Sequence, residues 1–135
     1  DAFFCNKEEA QRILETGEDD IKKLMQGIAA LGPKIVAITD GVKGAYAYDG
    51  KTAWYIPLYP DPKPPLQRTG AGDAFSSTFT AALALGKSVE EALAWGPINS
   101  MSVVQQIGAR QGLLTRKQIE EYLAKAPADY APRII

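Results

Sequence analysis

The chain has 135 residues, of which 46% are apolar, and a formal net charge of −1, as expected for one globular domain with a hydrophobic core. This balance gives no electrostatic support for binding nucleic acid or a membrane surface. Because the chain contains no histidine, Ser-His-Asp catalysis, Cys-His catalysis and His/Cys zinc sites are excluded within it. Its single cysteine, Cys5, excludes an internal disulfide and fits a reducing compartment, so we expect a cytoplasmic protein.

The first half of the chain alternates strand-like and helix-like segments. Residues 2–5 form a short apolar run typical of a strand, and a helix is predicted to begin after Asn6. Residues 34–39, KIVAIT, predict a central parallel strand, and two alternating segments around Asp49-Gly50 predict a β-hairpin. Apolar residues at helical spacing predict a second helix before KIVAIT: Ile21, Leu24, Met25, Ile28 and Leu31.

The second half is predicted to be mainly helical. Residues 59–67, YPDPKPPLQ, contain four prolines and predict an extended loop. The segment 73–85 is small and apolar, which is typical of a buried helix. A further helix is expected to break or kink near Gly96-Pro97, and residues 126–135 are expected to form a loop or tail. Two capping-box patterns mark helix starts, Ser88 with Glu91 and Thr115 with Gln118.

Strands mixed with helices predict an α/β fold with a mainly parallel sheet plus a β-hairpin. Residues 1–135 are interpreted as a single domain or a fragment of one. The chain opens directly in a strand-like segment without an initiator methionine, so we expect a fragment.

Residues 69–73, TGAGD, carry the most chemical information. Consecutive small residues let the backbone approach a ligand closely, and free N–H groups at a helix start attract phosphate. The first four residues could build such an anion-binding turn, and Asp73, ionised at neutral pH, could accept a proton from a substrate hydroxyl. The alternative is that Asp73 caps the helix and the glycines only make a turn.

Two other segments follow predicted strands. In TDGVKG, Gly41 and Gly44 would let a nucleotide lie against the backbone and Thr39 offers a hydroxyl, at the strand end where ligands of α/β sheets gather. The alternative is a simple strand-to-hairpin turn. In NKEE, Asn6 and Glu9 form a capping-box pattern, or Glu9 orients magnesium-bound water near phosphates.

These elements together resemble the PfkB/ribokinase family of carbohydrate kinases. N-x-x-E, T-x-G-x-x-G, T-G-A-G-D-A-F and the segment NSMSVVQQIGARQGLLT follow one another in that family's order. The resemblance covers nearly the whole chain but only the C-terminal half of such a kinase, and TGAGD is its most specific part. It implies part of a three-layer α/β/α sandwich and phosphorylation of a sugar or nucleoside hydroxyl, with ATP and Mg²⁺.

The resemblance also implies roles for individual residues. Asp73 would be the catalytic base, and Gly70, Ala71 and Gly72 would form the anion hole for the transferred phosphoryl group. Asn6 and Glu9 would organise magnesium and phosphate. Lys43 would neutralise phosphate charge and Asn99 would lie beside adenine. The nucleotide-binding set implied in this way is Thr39, Gly41, Lys43, Gly44 and Asn99.

The chain departs from the family pattern in two places. The family often has D-T-T-G-A-G-D, whereas this chain has Gln67 and Arg68 before Thr69. The replaced aspartate commonly helps to hold a monovalent cation, so the need for potassium is left open. Arg68 introduces a charge that contacts a phosphate or a substrate carboxylate, or else is a solvated loop residue.

The second departure is the missing N-terminal half, which in this family supplies most sugar contacts and the lid. The isolated chain is therefore expected to be nearly inactive and to have an unpaired sheet edge open to association, for example as a homo-oligomer. The acceptor stays open between ribose, fructose, a keto-deoxy sugar acid and a nucleoside. Two alternatives to an enzyme fragment also stay open: a nucleotide-binding module without chemistry, and a structural piece in which TGAGD only caps a helix.

Overall fold

The computed structural model describes residues 1–108 and 110–135 and contains five strands and five α-helices in these ranges. A short 3₁₀ turn, Gly41–Lys43, follows the second strand. The elements in chain order are β1 (Ala2–Asn6), α1 (Lys7–Ile13), α2 (Ile21–Ala30), β2 (Ile35–Thr39), β3 (Ala45–Tyr48), β4 (Ala53–Ile56), α3 (Ala71–Ala84), α4 (Val89–Val104), α5 (Arg116–Ala124) and β5 (Arg133–Ile134).

The five strands form one mixed sheet in the order β1-β2-β3-β4-β5. Only β1 and β2 pair in parallel, and the other three pairings are antiparallel. The α/β class is confirmed, but the expectation of a mainly parallel sheet is wrong for this chain. The physical reason lies in the connections, because parallel pairing requires a long crossover such as α1 and α2 supply, whereas short turns join β2 to β3 and β3 to β4.

The sheet separates two apolar layers, which makes the expected three-layer sandwich. Alternate residues of β2 point to opposite faces, so Val36 and Ile38 pack with α1 and α2 while Ala37 packs with α3 and α4. The α1/α2 layer is centred on Leu24 and Met25, which are at most 1% exposed. Burial of such side chains stabilises the fold by roughly 1.5–3 kcal/mol each.

The capping boxes form as the sequence predicts. Ser88 Oγ accepts the Glu91 amide at 3.1 Å, and Glu91 Oε2 accepts the Ser88 amide at 2.8 Å. Donation from the Ser88 amide, and then from the Ser88 hydroxyl, holds the pKa of the Glu91 carboxyl below its usual value. Thr115 and Gln118 make the equivalent reciprocal pair at the start of α5. Both boxes satisfy backbone donors that the first helical turn cannot satisfy itself.

Helix α4 runs from Val89 to Val104 through Pro97, so of the expected break or kink near Gly96-Pro97 the break does not occur. A proline removes one backbone donor, and buried packing of this helix compensates for that loss. Gly96 is also needed for packing, because a Cβ atom there would overlap the ring of Phe75 in α3. The absence of a side chain at this position therefore lets α3 and α4 lie against each other.

The C-terminal segment is also more ordered than expected. Residues 133–134 form β5, which pairs antiparallel with β4, so the prediction of a loop or tail is wrong for these residues. Upstream, the hydroxyl of Tyr130 donates to the carbonyl of Ala94 at 2.6 Å, and its ring contacts that of Tyr59 edge-on. These are contacts between distant segments, which a local pattern cannot predict.

Candidate active site

The TGAGD segment forms the loop-to-helix junction at the start of α3. Gly70 is the N-cap residue and has φ 85°, a left-handed conformation that favours glycine. Ala71 begins the helix, and Asp73 lies in its first turn. The alternative in which Asp73 is the N-cap residue is therefore wrong, because the chain turns three residues earlier.

Two amides at the start of α3 have no partner among the described hydrogen bonds. The Ala71 amide donates to Arg68 O at 3.3 Å and the Ala74 amide to Gly70 O at 2.8 Å, but those of Gly72 and Asp73 donate to no backbone or side-chain group there. Free amides at a helix start point along the helix axis towards its N-terminal side, where the helix dipole also favours an anion. The segment thus has the donors of an anion-binding turn.

Gly72 leaves open space next to these amides. A Cβ atom added at Gly72 would meet no atom within 4 Å, and its φ is not in the left-handed region. Neither packing nor backbone conformation therefore requires glycine here. By contrast, a Cβ at Gly44 would overlap the carbonyl oxygen of Ile56, and its φ is +111°. Gly44 is thus explained by packing of the hairpin, whereas the space beside Gly72 is open.

The junction is anchored to α4. The Ser100 hydroxyl donates to the carbonyl of Ala71 at 2.7 Å, and the amide of Leu66 donates to the carbonyl of Val104 at 2.9 Å. These bonds fix the first turn of α3 and the loop before it to the same neighbouring helix. A fixed turn presents its free amides without reorganisation, which is what makes such groups effective for charge stabilisation.

Asp73 lines a cleft of about 230 Å³, which we name the acidic cleft. Asn6 and Glu9 line the same cleft, although they precede Asp73 by more than 60 residues. β1 ends at Asn6 next to β2, which ends at Thr39, another lining residue. The structure therefore brings together the three motifs that the sequence analysis considered separately.

Asn6 and Glu9 also make the predicted capping box. Asn6 Oδ1 accepts the Glu9 amide and Glu9 Oε2 accepts the Asn6 amide, both at 2.8 Å. The capping alternative is thus confirmed, and the same residues still line the acidic cleft. Neighbouring Cys5 is not a nucleophile here, because burial and the charge of Glu9 raise the pKa of its thiol to about 11.

A second cleft of about 190 Å³ adjoins the first, and we name it the apolar cleft. Thr39, Gly41 and Gly44 lie on its lining, as expected for the TDGVKG segment. Thr39, Gly72 and Phe75 line both clefts, so the two meet at the start of α3. The remainder of the lining is mainly apolar and includes Leu58, Tyr59, Pro97, Met101 and Val104.

Two residues of the expected nucleotide-binding set do not reach either cleft. Lys43 has an exposed side chain that lies 3.8 Å from Asp40. Asn99 is buried inside the fold, where its Nδ2 donates to Thr78 Oγ1 at 2.7 Å and its Oδ1 accepts from the Leu114 amide at 3.0 Å. Asn99 thus ties α4 to α3 and to the segment before α5, and the geometry does not support a place beside adenine.

Sequence reasoning did not identify the apolar wall of the second cleft. Tyr59, Pro97 and Met101 come from a loop and from α4, and each looks like an ordinary core residue in the sequence. Their only signal is indirect, since α4 must pack against α3 if both are amphipathic in the same layer. Cleft membership follows from tertiary packing rather than from residue type.

The donor set of the acidic cleft suits a hard cation with few protein ligands. Among the described residues no group of three or more Asp, Glu, His or Cys side chains could hold a metal ion. Mg²⁺ does not need such a cage, because it usually keeps several waters and takes one or two carboxylates together with substrate phosphates. Glu9 supplies a carboxylate and Asn6 an amide oxygen to the lining of this cleft, which fits that mode.

The model of the family described as pfkB family carbohydrate kinase matches residues 1–116. The chain belongs to this family. In the part of the chain that the structure covers, no helix combines the length and apolar character that crossing a bilayer requires.

Individual pfkB relatives are similar in sequence and in structure. Over 95 residues the chain is 38% identical to a ribokinase of Bacillus subtilis, covering 70% of this chain and 32% of the relative. Over 105 residues it is 34% identical to a cytidine kinase of Thermococcus kodakarensis, covering 78% and 37%. A ribokinase of Arabidopsis thaliana, solved with ribose and ATP, matches with a TM-score of 0.81 and 28% identity over 91% of this chain and 40% of that one. The chain thus spans about a third of the curated relatives' length.

Proposed function

We propose that the chain is the nucleotide-binding and catalytic-base part of an ATP-dependent kinase that phosphorylates a sugar or nucleoside hydroxyl. One observation carries the proposal: the two clefts meet at Gly72, next to the free amides and to Asp73. A phosphoryl group that passes from a nucleotide in the apolar cleft to a hydroxyl in the acidic cleft would cross the start of α3. The names of the ribokinase and cytidine kinase relatives support the class of acceptor.

Asp73 is the proposed general base. Asp73 lines the acidic cleft, and its carboxylate makes no hydrogen bond or salt bridge among the described contacts, so it is free to accept a proton. As the acceptor oxygen bonds to the γ-phosphorus, Asp73 takes the hydroxyl proton. The bond between that phosphorus and the β,γ-bridging oxygen breaks, and ADP leaves.

The start of α3 is the proposed anion hole. Gly70 and Ala71 shape the turn, and the amides of Gly72 and Asp73 would donate to oxygens of the transferred group. In other enzymes, removal of one such donor lowers kcat by about 10²–10³. The bond from Ser100 to Ala71 would keep these amides in place.

When bound, Mg²⁺ would neutralise negative charge on the phosphates. Asn6 and Glu9 are the residues proposed to hold it, with Glu9 acting on the bound water, because both line the cleft that contains Asp73. On the nucleotide side, we propose contacts from Thr39, Gly41 and Gly44, which line the apolar cleft.

Phosphorylation by the isolated chain is expected to be very slow. The chain spans about a third of its curated relatives, and we propose that further sequence supplies the acceptor contacts and excludes water from the site. β1 lies at one end of the sheet order, which is where additional strands could pair. Nucleotide binding, in contrast, should be measurable with this chain.

The test is calorimetric titration of the chain with Mg·ADP, beside two matched variants. Gly72→Val fills the open space at the anion hole, and Gly17→Val adds the same side chain at an exposed glycine that also has no atom within 4 Å of its Cβ position. We expect the wild type and Gly17→Val to bind equally and Gly72→Val to lose binding while its circular dichroism is unchanged.

Two other results would contradict the proposal. A folded wild-type chain that does not bind Mg·ADP would favour the purely structural role, in which TGAGD only starts a helix. Equal binding by Gly72→Val would place the nucleotide elsewhere. A nucleotide-binding module without chemistry would pass this test but would show no dependence of phosphorylation on Asp73.

A further inference from the structure

A positively charged side chain lines the apolar cleft and has no role in the mechanism proposed above. Arg68 lies in the loop before α3, is exposed, and is the one Lys or Arg among the described residues that line this cleft. The other charged residue of the lining is Asp61. No carboxylate within the described ranges lies at salt-bridge distance from Arg68, whereas Lys43 is paired with Asp40.

We propose that Arg68 binds the phosphate chain of the nucleotide, an inference that rests on the proposed function. Arg68 lines the apolar cleft together with Ala71 and Gly72, and the amide of Gly72 is one of the two free amides at the start of α3. A nucleoside triphosphate brings several negative charges there. A guanidinium is the side chain best suited to meet them, because its planar donors match phosphate oxygens in pairs.

The position of Arg68 favours the nucleotide over an acidic acceptor. Arg68 lines the apolar cleft but not the acidic cleft, which contains Asp73 and would hold the acceptor hydroxyl. A carboxylate or phosphate on the acceptor would therefore lie on the other side of Gly72. The charge-neutralising role that the family resemblance implied for Lys43 is therefore proposed for Arg68, which lines the apolar cleft.

The backbone around Arg68 is held while its side chain is exposed. The carbonyl of Arg68 accepts the Ala71 amide at 3.3 Å, and the amides of Leu66 and Gln67 donate to the carbonyl of Val104 at 2.9 and 3.4 Å. These bonds involve no side-chain atom of Arg68. Replacing its side chain should accordingly leave the loop and α3 intact, which makes a binding measurement interpretable.

The experiment compares Arg68→Gln and Arg68→Lys with two charge-matched controls. Lys43→Gln removes the neighbouring cation that lines neither cleft, and Arg116→Gln removes an exposed cation in α5 that pairs with Glu120. Each folded chain is titrated with Mg·ATP and Mg·ADP by calorimetry and with adenosine by NMR. Adenosine has the base and sugar but no phosphate, so it isolates the phosphate contribution.

We expect Arg68→Gln to weaken Mg·ATP and Mg·ADP binding about tenfold or more, the usual effect of a hydrogen bond to a charged group. Adenosine affinity should be unchanged, Arg68→Lys should retain part of the affinity, and both controls should stay within about twofold of wild type. The difference between wild type and Arg68→Gln should shrink at high salt, because exposed charges are screened.

The outcomes separate this inference from the proposed function. If the wild type binds Mg·ATP and Arg68→Gln binds it equally well, the inference is wrong and the proposed function stands. Equal weakening of adenosine, or a larger effect of Lys43→Gln, would also overturn it. A change confined to the KM of an acidic acceptor in a full-length kinase would do the same. No nucleotide binding by the wild type would overturn both.

Discussion

Gly96 provides a test in which two physical effects predict opposite signs. Replacing a glycine inside a helix with alanine normally stabilises a protein by roughly 0.5–1 kcal/mol, because alanine loses less backbone entropy. At Gly96, however, the added Cβ would lie 2.6 Å from Cε2 of Phe75. Phe75 is only 3% exposed and packs against the rings of Phe4 and Phe79, so it cannot turn away freely.

We therefore expect Gly96→Ala to lower the free energy of unfolding by about 1–3 kcal/mol, the usual cost of overpacking a core. Urea denaturation followed by circular dichroism measures this change through the transition midpoint. Gly27→Ala in α2 is a suitable control. Its Cβ would meet only the end of the Leu14 side chain, at 2.8 Å from Cδ1, which can shift. The control is expected to be neutral or stabilising.

Repeating Gly96→Ala in a Phe75→Leu variant shows whether the ring of Phe75 causes the loss of stability. If the ring is responsible, Gly96→Ala should destabilise Phe75→Leu much less than it destabilises the wild type, giving a favourable coupling energy in the double-mutant cycle. A gain in stability for Gly96→Ala in the wild-type background would refute the reasoning. It would mean that α3 and α4 do not approach each other at this point.

Three further predictions concern stability and binding. Tyr130→Phe should reduce the free energy of unfolding by about 1 kcal/mol, since the hydroxyl loses its bond to Ala94, and thermal melting measures the loss. The folded-state pKa of Cys5 is raised from 9.0 to about 11, so its contribution to the free energy of unfolding is fully present below pH 9.0 and decreases as the pH rises towards 11. Cys5→Ala should make this decrease smaller in urea titrations at several pH values, and an unchanged dependence on pH would contradict the prediction. Ser100→Ala should weaken Mg·ADP binding severalfold through loss of the bond to Ala71, while a full loss of folding would contradict a local role.

Local patterns predicted those parts of the fold that depend on neighbouring residues. The capping boxes at Ser88 and Thr115 and the hairpin around Asp49-Gly50 formed as expected. Each of these depends on contacts within a few residues, so a short segment of sequence contains all the residues that determine it. The alternation of side chains between the two faces of the sheet also depends only on neighbouring residues.

Features that depend on distant contacts were not predictable in this way. Strand β5 forms because β4 offers a free edge, and nothing in residues 133–134 signals that partner. The mixed sheet follows from short connections whose pairing depends on the rest of the layer. Asn99 shows the same limit, because its side chain bonds to Thr78 and to the amide of Leu114, which are distant in the sequence.

The site itself was predicted in part. The motif residues Asn6, Thr39 and Asp73 lie together in one cleft, although only the resemblance to a kinase family connected them in the sequence. The sequence also allowed a purely structural role for each of these motifs, and Asn6 and Glu9 do cap helix α1. A residue can therefore cap a helix and line a site, because both depend on the same strand-to-helix turn.

The central claim is that Asp73 acts as the base at the meeting point of the two clefts. The most direct test is to measure phosphorylation by a full-length kinase that contains this chain, as wild type and as Asp73→Asn, together with Mg·ATP affinity. The account predicts that kcat falls by about 10²–10⁴ in Asp73→Asn while Mg·ATP affinity stays within a few fold of wild type. Undiminished kcat in a variant that still binds Mg·ATP would contradict the account.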